Sequence, residues 1–451
     1  MPKRFGGFGP AMAEPRNVLI MGAAGRDFFN FLVRYKDDPS VRVRGFTATQ
    51  IPGIESRRFP ASLAGPLYPD GIPIFPEEDL PSLIVRFDID KVVFSYSDVD
   101  YNYILHRASI ANALGADFVL LGTRRTMLIA NVPVVAVTAV RTGSGKSQTT
   151  RRLAQILMHH GKKVVVVRHP MPYGELAEQA IERFATYEDL DRFHTTIEER
   201  EEYEPHVEKG IVVYAGVDYE RILRQAEKEC DVLLWDGGNN DTPFYKPDLH
   251  IVVADPLRAG HELTYYPGET NFRMADVIVI NKIDTAKPED VATVRKNAHE
   301  VNPDAVIVEA GSPITLADPE PIRNRKVLVI EDGPTLTHGG MAYGAGALAA
   351  ERFGASEILD PRPYAVGSIK TAFKKYPHLG KVLPAMGYGP KQIKELEETI
   401  NAVPCDVVVS GTPVDLGRIL KANKPVAHVR YELDEIGHPN LEDCLRDWNL
   451  I

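Results

Sequence analysis

The chain has 451 residues, 44% hydrophobic and 25% charged, with 52 Lys and Arg against 62 Asp and Glu, a net charge of −10. That is the balance of a globular protein of two to four domains. It excludes the overall basic character of a nucleic-acid protein, though not a local basic cleft. Cys230, Cys405 and Cys444 are far apart and form no C-x-x-C pair, which excludes a disulfide framework or a cysteine zinc site and points to a reducing cytoplasm. No apolar run is long enough to span a bilayer, and no signal-peptide pattern is present.

In chain order, residues 1–15 are rich in Gly and Pro and read as a flexible tail. The apolar runs "NVLIM" (17–21), "KVVFSY" (91–96) and "DFVLLG" (117–122) then predict buried parallel strands. Gly22 and Gly25 allow a tight turn after the first run, so residues 16–130 are expected to form a Rossmann-like domain. This turn falls short of the full dinucleotide fingerprint, and a phosphate or partner contact through Gly22, Gly25 and Arg26 suits it better. The Pro/Gly-rich segment 47–76 predicts a structured loop over a site.

A second series of strands begins at 134–140 and continues at 162–168, 231–235, 249–254, 276–281 and 305–310. Alternation with amphipathic stretches predicts a mainly parallel sheet covered by helices over 131–325. The segment 326–451 predicts an α/β C-terminal region, with strands at 326–332, 406–411 and 425–431 and a helix at 390–402. The fold class is therefore α/β throughout.

"VVAVTAVRTGSGKSQTT" carries the chemistry. A buried strand, a tight loop and a helix beginning Gly145-Lys146-Ser147 make a phosphate loop, although Val140 stands where the usual pattern has its first glycine. Backbone N–H groups of Thr142, Gly143, Ser144 and Gly145 would cradle phosphates at the helix N-terminus, with Gln148 just inside the helix. Lys146 would reach the β/γ-phosphates, Ser147 would ligate Mg²⁺, and Arg141 is placed to touch transferred phosphate. In "DVLLWDGGNND", Asp236 ends a buried strand where a second acidic group holds Mg²⁺. "NKID" puts Asn281, Lys282 and Asp284 in the base-reading pattern of GTPases, the aspartate accepting from guanine.

Arg and His gather at the predicted strand ends: Arg168 and His169, then Arg183, Arg192 and His194, then Arg258, His261 and Arg273, and His338 beside Gly339 and Gly340. As a group they predict a small polyanionic substrate. The run "EEREEYE" (198–204) reads as a solvated helix face, with the option that one glutamate holds a second Mg²⁺.

The loop variant, the "DGGNN" turn and the N-K-x-D run resemble the phosphate-loop branch of dethiobiotin synthetase, the nitrogenase iron protein and the metal-centre maturation GTPases. From "IMGAAGRDF" through "FTATQIPGIE", "VVVVRHPMPYG", "HELTYYPGETN" and "EDGPTLTHGGM" to "DPRPYAVGSI", the chain is similar to the archaeal cyclic 2,3-diphosphoglycerate synthetases. That resemblance implies an ATP-dependent ligase that closes 2,3-diphosphoglycerate into its cyclic anhydride with release of ADP and phosphate. It makes Lys146, Arg141, Arg168, His169 and Asp236 the catalytic set, and Arg168, His169, Arg183, Arg258, His261, His338, Gly339 and Gly340 the substrate set. The cofactors would be ATP, with GTP possible, and Mg²⁺. A cytoplasmic homodimer without nucleic-acid or membrane partners is the expected assembly. A GTPase switch, a kinase or ligase on another small anionic metabolite, and a non-catalytic nucleotide-binding partner are the competing readings.

Overall fold

The structure, a computed structural model, describes residues 14–49, 57–169, 174–238, 241–316, 321–337, 339–387 and 389–451. His338, most of the predicted tail and part of the 47–76 loop lie outside the described residues. The chain forms two compact units, one built mainly from residues before 126 and one from nearly everything after it.

The first unit has six strands, β1 (Arg16–Met21), β2 (Val41–Ala48), β3 (Arg58–Phe59), β4 (Ile72–Pro76), β5 (Lys91–Phe94) and β6 (Asp117–Leu120). They lie in the order β3-β4-β2-β1-β5-β6, parallel except for β3, in a Rossmann-like sheet. The glycine turn after β1 is closed by the chain's own carboxylate. Asp27 Oδ1 accepts the N–H of Ala24 at 2.7 Å and that of Phe28 at 2.7 Å. Burial raises the Asp27 carboxyl to about 6 against the opposing pull of these backbone donors. A Cβ on Gly22 would stand 2.4 Å from Asp27 Oδ2, so only glycine fits there. The anion site that this turn would offer a phosphate is therefore already filled by Asp27.

Among its described residues the second unit has a separate antiparallel pair of Val99–Asp100 with Tyr265–Tyr266, and two large sheets built from fifteen strands. In chain order they are β7 (Val134–Ala139), β8 (Val164–Val167), β9 (Glu182–Phe184), β10 (Val212–Ala215), β11 (Val232–Asp236), β12 (Leu249–Ala254), β13 (Val277–Ile280), β14 (Val306–Gly311), β15 (Ile314–Leu316), β16 (Lys326–Asp332), β17 (Glu357–Ile358), β18 (Val382–Ala385), β19 (Val407–Ser410), β20 (Val426–Tyr431) and β21 (Asp434–Glu435). The larger sheet runs β9-β10-β8-β11-β7-β12-β13-β14-β21, parallel in its interior and antiparallel only at its two ends. The smaller runs β15-β20-β19-β16-β17, with β18 also paired to β16. β7, β11 and β12 are buried on both faces, the reason their sequences are continuous apolar runs rather than alternating ones.

The two sheets interleave along the chain. β15 precedes Lys326 yet pairs with β20, and β21 returns to the edge of the larger sheet. Leu441, Cys444 and Leu445 pack into the core beneath β7. The helix α1 (Ile197–Val207) joins the two cores. Its Ile197 packs with Leu328, Ile330 and Leu383, whereas Tyr203 and Val207 pack with Phe184 and Val213.

The reading of 198–204 as a solvated face is corrected here. Every α1 residue except Glu202 is buried. The glutamates survive burial because distant groups meet them: Glu198 accepts from Gly387 N–H at 2.9 Å, Glu201 from the Thr412 hydroxyl at 2.6 Å and Glu204 from Asp415 N–H at 3.1 Å.

A second buried carboxylate fixes the glycine-rich stretch after 338. Glu331 accepts the N–H groups of Gly344, Gly346 and Ala347 at 3.0, 3.0 and 2.8 Å, capping the helix Ala345–Arg352. Glu331→Ala is expected to lower unfolding stability by about 2–4 kcal/mol, since several donors lose a charged acceptor at once. Urea denaturation of the variant beside the parent measures it, and an unchanged midpoint would show that this carboxylate does not hold the segment.

Candidate functional site

The loop after β7 lies at the carboxyl ends of the larger sheet, where an open parallel sheet places its ligands. Its helix, α2 (Lys146–His159), starts at Lys146. Gly143 and Gly145 have φ of +80° and +112°. A Cβ on Gly145 would meet the Asn281 amide at 2.1 Å, so glycine is required twice over. Arg141 occupies the first turn position without disturbing this loop, which accounts for the tolerance of Val140 one residue earlier.

The loop is braced from neighbouring strand ends. Asn281, just past β13, donates to Ser144 O at 2.8 Å. Lys282 donates to Gly143 O at 2.6 Å and pairs with Asp255, past β12, at 3.2 Å. Arg258 donates to Thr142 O at 2.8 Å and Gly339 O at 3.0 Å, and pairs with the same Asp255 at 2.7 Å. Asp98 takes Arg141 Nε at 2.6 Å and Thr142 N–H at 3.2 Å. The Arg141 guanidinium also lies 2.5 Å from His261 Nδ1 and 3.6 Å from the Tyr265 ring centroid. Burial, then the charges of Arg141 and Arg258, hold the His261 imidazole below its ordinary range, in the neutral form that can accept.

Asp236, at the end of β11, is wholly buried and carries the charge balance of the site. Lys146 Nζ lies 2.6 Å from its Oδ1, Arg168 pairs with its Oδ2, and His206 Nε2 is 3.3 Å from that oxygen. Burial alone would push this carboxyl up, but Arg168 and Lys146 outweigh it and hold the group well below the usual range. Burial likewise lowers Lys146 to about 8, helped by the like charge of Arg168, and lowers His206 to about 4. Arg168 pairs on its other side with Glu202, the one α1 side chain left partly exposed, and touches Ser147 Oγ at 3.3 Å.

Of these groups, Lys146, Ser147 and Glu202 border a cleft of about 1350 Å³, part of it open to solvent. Thr142, Gly143, Gly145, Lys146 and Ser147 form one stretch of its wall. Another stretch is acidic, with Glu201, Glu202, Glu331 and Asp332. Gln148, Lys282, Thr285 and Ser312 complete the part nearest the N-K-x-D run, where Asp284 accepts Ser312 N–H at 3.0 Å.

The predicted basic residues are therefore not a free anion trap. Arg141, Arg168 and Arg258 are each neutralised by a buried carboxylate. His169 lies 3.5 Å from Asp241 behind the Gly238 turn, outside the cleft wall. Arg183 is on the edge strand β9, paired with Glu229 at 2.7 Å, and the structure does not bring it to the cleft. Arg192 is exposed, and Arg273 pairs with Glu269 at 2.7 Å. Gly339 touches the loop through the Arg258 contact, and Gly340 is exposed. The sequence reading gave Glu201 and Glu202 only the shared option of holding a second Mg²⁺, and missed Glu331, Asp332 and Arg151. The signal for the first pair was the Thr196–Glu199 capping box, which marks a real helix start immediately before them.

No family model matches the chain. It is 63% identical over 438 residues to "Arginine synthetase ArcE" of Thermococcus kodakarensis, covering 97% of this chain and 98% of that protein. The chain belongs to this arginine synthetase family. Likeness to "Cyclic 2,3-diphosphoglycerate synthetase" of Thermococcus sibiricus is narrower, 28% identity over 114 residues, 25% of this chain and 26% of that one. The expected family is thus met only over this quarter of the chain, and the full-length likeness is to a related one. Among solved structures, the ATP complex of LpxK from Aquifex aeolicus aligns with TM-score 0.43 and 14% identity, covering 82% of this chain and 98% of that one. Nickel-bound HypB from Helicobacter pylori aligns with TM-score 0.25 and 18% identity, covering 40% and 78%. Among the described residues no helix is long and apolar enough to cross a membrane. Nor do any three His, Cys, Asp or Glu side chains among them converge as metal ligands.

The buried acids of this family member set a pH response. Burial raises Glu182 to about 8 and Glu198, Glu199 and Glu331 to about 7. Between pH 6.5 and 8 the native chain therefore binds protons that the unfolded chain has already released. Stability is expected to fall as pH rises through this window. His206 acts oppositely, but only below 6.5, where its contribution is lost as pH falls towards 4. Thermal denaturation from pH 6.5 to 8 checks the sign: a rising melting temperature would contradict it.

Proposed function

We propose that the protein is an ATP-dependent synthetase whose product is arginine. The single observation that carries this reading is a phosphate loop, with its Lys146–Asp236 pair in place, opening on a cleft that also presents the carboxyls of Glu201, Glu202, Glu331 and Asp332. The full-length likeness to an arginine synthetase agrees with that polarity. A guanidinium product suits carboxylate walls, whereas a polyanion would meet Glu201, Glu202, Glu331 and Asp332.

The chemistry follows from the product. Making a guanidinium from a ureido side chain, as in citrulline, requires the ureido oxygen to become a leaving group. That oxygen attacks the γ-phosphorus of ATP, the bond to ADP breaks, and an O-phosphoryl isourea forms. Ammonia attacks its carbon, phosphate departs with the C–O bond, and the surplus proton leaves the nitrogen. Thr142–Gly145 would hold the phosphates through backbone N–H groups, and Lys146 would follow the transferred group. The residues present fit Mg²⁺, with the Ser147 hydroxyl and an Asp236 carboxylate kept ionised by its cations. When bound, the ion would neutralise charge on the nucleotide. Arg168 acts by positioning Asp236 and Glu202, and Arg141 and Arg258 by holding the loop. Asn281 and Lys282 brace that loop directly, which gives the N-K-x-D run a use independent of guanine, and Asp284 beside Ser312 keeps GTP as an alternative donor.

The quarter-chain likeness to a cyclic 2,3-diphosphoglycerate synthetase favours a second reading, cyclisation of that diphosphate with ATP. One assay separates the two. Purified protein with Mg²⁺ and ATP, or GTP in parallel, is given citrulline with ammonium in one set and 2,3-diphosphoglycerate in another. Arginine by chromatography, matched by phosphate release, is expected in the first set only. A new phosphoanhydride signal by ³¹P NMR in the second set would replace this reading with the cyclising one. Lys146→Ala is expected to cut turnover by about 100-fold or more, as removal of a charge-stabilising donor does. Turnover at the parent rate would remove the loop from the mechanism.

A further inference from the structure

Three features of the cleft wall remain unused by this mechanism. Glu201, from α1, and Asp332, from the end of β16, both line the cleft, close enough for their carboxyls to share a proton, and burial raises both above the ordinary carboxylate range. Glu201 is 5% exposed, and its Oε2 has no hydrogen-bond partner. Its Oε1 is fixed by the Thr412 hydroxyl at 2.6 Å, and Asp332 Oδ2 by the Thr335 hydroxyl at 2.9 Å. Both carboxyls are thus held in place with acceptor capacity to spare. Arg151, one turn along α2 from Ser147, is 9% exposed and lines the same cleft, yet among the described residues it makes no hydrogen bond or ion pair. Every other buried arginine of the site has a carboxylate. Tyr431, another residue of this wall, lies within electrostatic reach of Asp332, Arg151 and Glu201.

We propose that Glu201 and Asp332 bind the guanidinium of an arginine-type amino acid and that Arg151 binds its α-carboxylate. This assignment rests on arginine being the product. A guanidinium brings five donors in a planar fork, the complement of two adjacent carboxyls that each take one threonine hydroxyl and keep acceptor capacity. A buried arginine without a partner is costly unless an anion arrives with the ligand. A cation and a carboxyl pair in one cleft wall select a zwitterion carrying a cationic side chain over a simple cation or a simple anion. They also account for two like carboxyls persisting side by side in a buried wall.

The test is calorimetric titration of the full chain, with ADP and Mg²⁺ present, using L-arginine and agmatine, which is arginine without its α-carboxylate. The parent is expected to bind arginine about tenfold or more tighter than agmatine. Arg151→Gln is expected to bring arginine down to the agmatine level and leave agmatine unchanged. Glu201→Gln and Asp332→Asn are each expected to weaken both ligands about tenfold or more, with ADP binding kept and the melting temperature equal or higher. A merely structural role would instead lower the melting temperature and spare the affinity. The proposal is overturned if Glu201→Gln and Asp332→Asn bind both ligands as the parent does, or if Arg151→Gln keeps the preference for arginine. If the parent makes arginine while these variants keep its KM, only this site assignment fails. If the parent neither makes nor binds arginine, the arginine reading fails with it.

Discussion

A carboxylate with no exposure to water can stay ionised only where cations surround it, and Asp236 meets that condition through Lys146 and Arg168, with His206 beside them. These partners come from three different elements: the start of α2, the end of β8 and the last turn of α1. One oxygen pair therefore registers the phosphate loop against its neighbouring strand and against the helix that carries the acidic wall. Through Arg168 the alternation of charge continues to Glu202 at the cleft. Removing any member leaves another buried and uncompensated, which costs more than the pair itself contributes.

That alternation changes what the basic composition of the strand ends means. Arg141, Arg168 and Arg258 tie loops to Asp98, Asp236 and Asp255, so their charges are consumed within the protein. What reaches the cleft is a phosphate loop on one stretch of wall, carboxyls on another, and Arg151. Such a cavity brings a nucleotide's anionic chain and a cationic organic group into one volume, while both ends keep partners of opposite sign.

The central strands were legible because burial on both faces forces continuous apolar runs, and "VVAVTA" and "LHIVVA" have no polar face to show. The phosphate loop was legible without its first glycine, because the tight geometry falls on Gly143 and Gly145. The helix α1 was not legible as buried. Seven residues dense in glutamate look solvated by any local pattern, and the groups that satisfy them, at Gly387, Thr412 and Asp415, stand some two hundred positions away. Separation along the chain also hid the partners of Arg141 and Arg168, since nothing near either in sequence announces Asp98 or Asp236. "VLPA" (382–385) was likewise obscured, a proline sitting inside a strand held by parallel pairing to β16.

The interleaving of the two sheets bears on how the chain is made. β7 and its loop leave the ribosome early, but the sheet around them gains its last strand, β21, and the core beneath them gains Leu441 and Leu445, only after the whole smaller sheet has been synthesised. The nascent nucleotide loop therefore waits with an open sheet edge, and the unit reaches its final packing as one body rather than as two modules folding in turn.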